Sequence, residues 1–479
     1  MAAVGTMTQA GISAGGCSRP QPNPQPKDIW ATLDEPWCEQ SQSIAAGLAV
    51  LINEAEPTRF LAHLWTGLRA NAALILANPS WRHQEWQQVA QQLCPDIVLG
   101  ETPPVSFKSS KNNASRNRPQ PGQILIATGG TSGQIKFVVH TWSTLTAAAQ
   151  GFLDHFSQRS IHKPVNSYCV LPLYHVSGLM QAMRVWLSGG QLVTQQFKQL
   201  ETGQRRVEPD DTWFISLVPT QLQRLIEDAT TCQWLSQFRA ILLGGAPAWP
   251  SLMTQAARLP IALTYGMSET AAQVATLLPQ DFQSGVRSQG SPLPHVTLAI
   301  HQPESAQPQP LGSVGRIALR TPSLAMGYWL DAGIIDMGAI DDRQDAQPWF
   351  YPDDLGYLDQ RGHLHVVGRN SQKIITGGEN VFPAEVEAAL LSTGLVQDVC
   401  VVGLPDPVWG QAVAALYVSE AEAQVTPLQL KTALKTSLSA YKHPKHWRLV
   451  DHIPRNAQGK VNRSRVVAQL SAATELAQD

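Results

Sequence analysis

At 479 residues, with 43% hydrophobic and 15% charged residues, the chain is globular and has room for about three units of ordinary domain size. Its 35 Lys and Arg against 37 Asp and Glu leave a net charge of −2, which excludes an electrostatic case for nucleic acid or an anionic membrane as the main partner. No run of about 18 apolar residues predicts a transmembrane helix. Cys17, Cys38, Cys94, Cys169, Cys232 and Cys400 lack paired or metal-ligand spacing, which points to reduced thiols and a cytoplasmic setting.

Residues 1–25, rich in Gly, Ser, Pro and Gln, read as a loose tail without the apolar core of a signal peptide. A helical pattern over Ile44–Leu51 precedes a strand over Ala72–Leu76, a helix over Gln84–Leu93 and a strand over Ile97–Leu99. A polar stretch, 101–122, then leads to the apolar run Ile124–Ala127. That run ends in Thr128, Gly129, Gly130, Thr131, Ser132 and Gly133, and Lys136 opens a β-rich run through Val139. Three glycines let backbone N–H groups approach an anion, three hydroxyls add donors, and Lys136 adds charge, a chemistry suited to a polyphosphate. The spacing is not that of a Walker A loop, which requires GK[ST] running into a helix. Taken alone, the string equally suits a polar turn between two strands.

Ser143 predicts an N-cap for a helix to about Ser157. Strand and helix signals then alternate to Thr264, which argues βαβ units, a parallel sheet, and ligands beyond the carboxyl ends of its strands. Three strings follow such strands: Leu171–Gly178 with His175, Ile241–Pro247 with Gly244 and Gly245, and Thr264–Thr270 with Tyr265, Gly266 and Glu269. In the last, a hydroxyl can hold a phosphate and Glu269 offers a hard oxygen ligand for Mg²⁺, while a helix-capping arrangement would look similar. Asp353 and Asp354 stand together in Trp349–Gly356, and on their own read as two surface acids in a turn. Gly368–Arg369 marks a boundary. Beyond it, Pro383 starts a helix closed by Gly394, and the last hundred residues read as a small α/β unit carrying Lys460 in a polar loop.

In this order the strings resemble the motifs of the adenylate-forming superfamily of acyl-CoA synthetases, luciferases and peptide-synthetase adenylation domains, over residues 124–460. The resemblance implies an α/β fold: a large N-terminal domain, 26–367, of layered subdomains plus a distorted β-barrel. A hinge at 368–371 and a small mobile α+β lid, 372–479, would follow. It implies ATP, Mg²⁺ and coenzyme A as reactants or cofactors, a small carboxylic acid as substrate, and a homodimer as a possible assembly. ATP would lie against the 128–133 loop, Lys136, Gly245, Tyr265, Gly266, Thr270, Asp354 and Arg369, with Glu269 on Mg²⁺. Lys460 would be the lid's catalytic lysine and His175 an aromatic gate to the thiol tunnel. The acyl group would meet Ser177, Arg184, Gly244 and Gly290. The chain departs from the family pattern at Ile135 (usually Pro), at Pro352–Asp353 (usually Thr-Gly) and at Ser371 (commonly a hinge Asp), so Asp353 stays the alternative to Asp354.

Within the superfamily, Leu171–Gly178 and Gly377–Glu387 look like the o-succinylbenzoate–CoA ligase branch of menaquinone and phylloquinone synthesis. Arg184, in the apolar helix Leu179–Leu187, would suit a second substrate carboxylate, although a snorkelling surface Arg fits the same pattern. Another aryl or medium-chain acid, or a non-catalytic nucleotide-binding relative, stays open at this point.

Overall fold

The computed structural model describes residues 44–107, 118–129, 135–157, 164–303, 305, 307–330, 333–335, 337, 348–419, 425–455 and 461–475. Two seven-stranded sheets carry most of the chain. The first runs in the order Gly333–Ile335, Gly327–Leu330, Ile135–Thr141, Gln123–Gly129, Ala73–Leu76, Ala49–Asn53, Ile97–Gly100. Its last four strands are parallel and its first four antiparallel. The second runs Ser291–Pro292, Ala272–Thr276, Ile261–Met267, Ala240–Leu243, Trp213–Leu217, Asn166–Cys169, Leu192–Thr194, parallel from Ile261–Met267 onward.

Between these sheets lie the helices Trp142–Ser157 and Val176–Ser188. The first sends Leu145, Ala148 and Ala149 towards Ile124 and Ile126 of the first sheet, and Phe152 and Phe156 towards Phe214 and Leu242 of the second. Helix His83–Gln92 covers the outer face of the first sheet through Trp86 and Val89. Helices Pro219–Ile226 and Pro250–Gln255 cover the second through Leu222, Leu225, Leu252 and Met253. The result is a five-layer α/β/α/β/α stack.

A third, four-stranded antiparallel sheet, Thr297–His301, Gly315–Arg320, Asp354–Leu358, Leu364–Arg369, packs its Ile300, Ile317 and Leu364 against the second sheet. It stands where a distorted barrel was expected, and among the described residues its ends do not pair. A fourth sheet draws on strands from Ile374 onward, with one face on helices Pro383–Ser392 and Pro427–Leu434 and the other on Arg463–Glu475. Helix Pro383–Ser392 also turns Ala388 and Leu391 onto the outer core of the second sheet.

The helical pattern expected over Ile44–Leu51 is overturned: Ala49–Asn53 is a strand. All five of its residues are buried, because neighbours pair on both sides and helices pack on the sheet, so the run shows no alternation by which to read it. The helix instead follows at Pro57–Arg69, where Pro57 sits in the first turn and Glu56 caps the N–H groups of Thr58 and Arg59.

Candidate active site

Strands Gln123–Gly129 and Ile135–Thr141 pair so that Thr128 stands opposite Lys136 and Gly129 opposite Ile135. Thr128 and Lys136 therefore flank the mouth of a hairpin whose tip, with Gly130, Thr131, Ser132 and Gly133, lies outside the described residues. Ile135 is fastened at both backbone groups: its N–H donates to Gln88 Oε1 and its C=O accepts from Gln92 Nε2, each at 3.0 Å. Gln88 and Gln92, one turn apart on a helix, thus clasp the residue beside Lys136. A proline there would lack the N–H that this clasp uses.

Strand Ile261–Met267 ends in a single 3-10 turn, Ser268–Thr270, before the chain reverses into Ala272–Thr276. Ala271 and Ala272 take φ values of 52° and 91°, so the reversal is strained. A Cβ on Gly266 would lie 2.0 Å from the Ala272 carbonyl oxygen, so only glycine fits that crossing. The turn carries Glu269 half-buried, with its carbonyl accepting from the N–H of Ala325 at 2.8 Å. Thr270 is fully buried, and its hydroxyl is turned onto the carbonyls of Met267 and Ala272.

Two residues that the motifs did not single out hold this turn. Tyr328 reaches it because strand Gly327–Leu330 pairs with Ile135–Thr141, setting Tyr328 opposite Val138. Its hydroxyl donates to Glu269 Oε1 at 2.5 Å, and Lys136 Nζ stands 5.7 Å from its ring centroid. Burial, then the neighbouring Glu269 charge, drive the Tyr328 phenol well above its ordinary pKa, so it remains a donor. His140 on the hairpin is fully buried, with Nε2 2.7 Å from the Ser268 carbonyl and Nδ1 2.9 Å from Thr144 Oγ1. Burial lowers its pKa to about 4, against a weaker opposing effect of the Ser268 hydrogen bond, and leaves a neutral ring whose Nε2–H donates to Ser268.

The two adjacent acids separate. Asp354 accepts the Tyr265 hydroxyl at 2.7 Å on Oδ2 and lies 3.6 Å from Arg369 Nε on Oδ1, since Asp354 and Arg369 pair across neighbouring strands. Burial pushes the Asp354 carboxyl up, opposed by Tyr265 and Arg369. Burial and the Asp354 charge drive the Tyr265 phenol well above its usual range. Asp353 faces the other way: Oδ1 accepts from the Ser371 N–H at 3.1 Å, and the Ser371 hydroxyl donates to Oδ2. Asp354 therefore joins Tyr265, Arg369 and Glu269 in one electrostatic cluster, whereas Asp353 ties down the segment at Ser371.

On the acyl side, His175 is the residue at which helix Val176–Ser188 begins, its ring 4.8 Å from Tyr174, and Ser177 is exposed in the first turn. Arg184, further along this helix, is only 5% exposed, so the snorkelling alternative fails. Its Nη2 donates to Gln273 Oε1 at 2.5 Å and its guanidinium stacks 4.0 Å from the Phe152 centroid. Burial lowers its pKa to about 9, which leaves it charged at neutral pH. Gly244 and Gly245 follow strand Ala240–Leu243, with Gly245 exposed. Gly290 is buried at φ 75°, and a Cβ there would meet the backbone of Thr276 and Leu277 at 2.1–2.2 Å. Lys460 lies outside the described residues, between Arg455 and Val461, which form an isolated bridge.

Among the described residues no cluster of three or more His, Cys, Asp or Glu could hold a metal ion. A lone carboxylate such as Glu269 fits Mg²⁺, which takes one or two protein ligands and completes its shell with water and phosphate oxygens. No helix among the described residues is long and apolar enough to cross a membrane.

Residues 43–329 match the AMP-binding enzyme family, and residues 385–460 match the AMP-binding enzyme C-terminal domain. The 2-succinylbenzoate–CoA ligase of Geobacillus kaustophilus is 33% identical over 346 residues, covering 71% of this chain and 67% of that protein. Among solved structures, the o-succinylbenzoate CoA synthetase of Bacillus subtilis in complex with its acyl-adenylate intermediate superposes with a TM-score of 0.73 at 26% identity, covering 88% of this chain and 89% of that one. The same Bacillus subtilis enzyme with ATP and magnesium ion gives a TM-score of 0.72 at 25% identity over 90% of each chain.

Proposed function

The chain belongs to the AMP-binding enzymes, and from that premise we propose that it is a 2-succinylbenzoate–CoA ligase, which activates a carboxylate as acyl-AMP with loss of pyrophosphate and then forms the CoA thioester. The observation that carries the substrate reading is Arg184, a buried guanidinium that pairs with no carboxylate among the described residues. An uncompensated buried charge costs several kcal/mol, on the order of 3–5, and a substrate with a second carboxylate would relieve it.

The chemistry follows from charge. A carboxylate attacking the α-phosphate of ATP brings two anions together, so the site must neutralise both. Asp354 would take the ribose hydroxyls with its two oxygens, oriented by Tyr265 and balanced by Arg369. Lys136 and the loop it borders would hold the phosphates. Glu269 is the residue that would hold Mg²⁺, which when bound supplies Lewis-acid neutralisation of phosphate charge. Lys460 would stabilise the departing pyrophosphate from the lid.

The lid at 372–479 would then turn about 368–371, shielding the acyl-adenylate from water and admitting the thiol past His175. The Asp353–Ser371 pairing is the contact this rotation would have to keep or break, which gives the departure from a hinge aspartate a physical role. A cytoplasmic setting suits the unpaired thiols Cys94, Cys169, Cys232 and Cys400, and sedimentation velocity would decide whether the chain forms a homodimer.

Mass spectrometry of products tests the reading, using the full chain with ATP, Mg²⁺ and CoA, offered succinylbenzoate beside benzoates and fatty acids. Succinylbenzoyl-CoA and AMP formed in preference to every other pair is the expected result. Preference for another acid refutes the substrate, and no AMP from any acid refutes adenylation.

A further inference from the structure

Arg184 has a second unusual feature: among the described residues its one side-chain hydrogen-bond acceptor is an amide and not an acid. Gln273, on strand Ala272–Thr276, is only 7% exposed and spans two partners, with Oε1 on Arg184 Nη2 and Nε2 3.4 Å from Thr276 Oγ1. Because guanidinium has only donors, the atom facing it must be the amide oxygen, so the orientation of Gln273 is fixed by its neighbour. The contact orients Arg184 without cancelling its charge. Arg184 Nε has no hydrogen-bond partner among the described residues, so one donor of the fork remains unused. Gln181, one turn before Arg184 on the same helix, is 1% exposed and its Oε1 is likewise unpartnered. Ser177, Gln181 and Arg184 stand at positions i, i+4 and i+7, on one stripe of the helix that starts at His175. Gln273 also links this stripe to Thr276, whose backbone abuts Gly290, another residue expected at the acyl group.

We propose that Gln273 determines selectivity for a dicarboxylic acid: it holds Arg184 in place through a neutral hydrogen bond and leaves the full positive charge for the substrate's unreacted carboxylate. A glutamate here would form an internal ion pair and discharge the site. A purely apolar residue would leave the guanidinium untethered. Gln273 is thus a positioning residue that acts through Arg184. The inference rests on the reading of the substrate as succinylbenzoate.

The test compares succinylbenzoate with its two half-acids, benzoylpropanoate and butanoylbenzoate, each of which keeps one carboxylate, in wild type, Gln273→Glu and Gln273→Met. In Gln273→Glu, the KM for succinylbenzoate should rise at least tenfold with little change in kcat, while kcat/KM for the better half-acid moves less than threefold. Gln273→Met, similar in volume and uncharged, should lower the preference for the diacid severalfold. Turnover of the half-acid shows in the same assay that each variant is folded. Parallel changes for diacid and half-acid, no change in either variant, or inactivity towards every acid would each overturn the proposal. A wild-type enzyme that does not favour the diacid over its half-acids would instead refute the substrate reading beneath it.

Discussion

His140 makes the Glu269 turn sensitive to acid. Its ring is neutral and buried, and Nε2–H holds the Ser268 carbonyl one residue before Glu269. The folded pKa of about 4 lies below the ordinary histidine value of 6.5. The unfolded chain therefore binds a proton that the folded protein refuses, and stability that is complete above 6.5 is lost as pH falls towards 4. Integrating the linkage with these two values gives a loss of about 2 kcal/mol between pH 7.5 and pH 5 from this residue alone. His140→Gln retains an amide donor for Ser268 and removes the titration. We expect it to be about 1 kcal/mol less stable than wild type at pH 7.5, through a poorer hydrogen bond, but to lose about 2 kcal/mol less on going to pH 5. Urea unfolding followed by tryptophan fluorescence at the two pH values measures the difference. His295, with a pKa also lowered to about 4 by burial, and His155 contribute equally in both proteins and cancel. The same loss of stability in wild type and variant across this range would show that His140 is not the acid-sensitive group.

Tyr328→Phe removes the donor that fixes one oxygen of Glu269, and the Mg²⁺ concentration needed for half-maximal pyrophosphate release should rise by about tenfold; an unchanged Mg²⁺ requirement would refute this role. Asp354→Asn should raise the KM for ATP by about tenfold or more, whereas Asp353→Asn should leave adenylation within about twofold and alter thioester formation through release of Ser371. Steady-state assays of the two half-reactions separate these outcomes, and a reversed ranking would move the ribose role to Asp353. Lys460→Ala should cripple adenylation but largely spare thioester formation from supplied acyl-adenylate; equal loss in both half-reactions would remove Lys460 from its role.

The residues expected to touch nucleotide were legible because they lie in short contiguous strings at strand ends, where backbone geometry and side-chain chemistry are specified together. Thr128, Lys136, Tyr265, Glu269, Asp354 and Arg369 could all be named that way. The orientation of the Thr270 hydroxyl, by contrast, is set by the turn and not by the string that contains it. The tight reversal at Ala271 and Ala272 goes with a hydroxyl bonded to the Met267 and Ala272 carbonyls, and nothing in the residue order reports that contact. With Asp354 preferred and Asp353 the alternative, the residue order likewise could not report that the two carboxylates diverge, Asp354 towards Arg369 and Asp353 towards Ser371.

The residues that position the site are illegible for a different reason. His140 and Ser268 are 128 residues apart, Arg184 and Gln273 are 89 apart, and Tyr328 and Glu269 are 59 apart. Each contact is created by layering or strand pairing, so the supporting partner, His140, Gln273 or Tyr328, carries no local pattern. A His in a strand, a Gln in a strand and a Tyr after a Gly are ordinary on their own. Their arrangement also has a physical logic. Each supports a charge, or the turn that carries it, with a neutral group, so orientation is fixed while the charge on Glu269 or Arg184 stays available. Had the fold used opposite charges as supports, the ion pairs would be satisfied internally and the site would have less to offer an incoming cation or carboxylate. Neutral supports at buried positions are therefore what a site for charged reactants requires, and they are also what leaves no charge pattern in the sequence to reveal them.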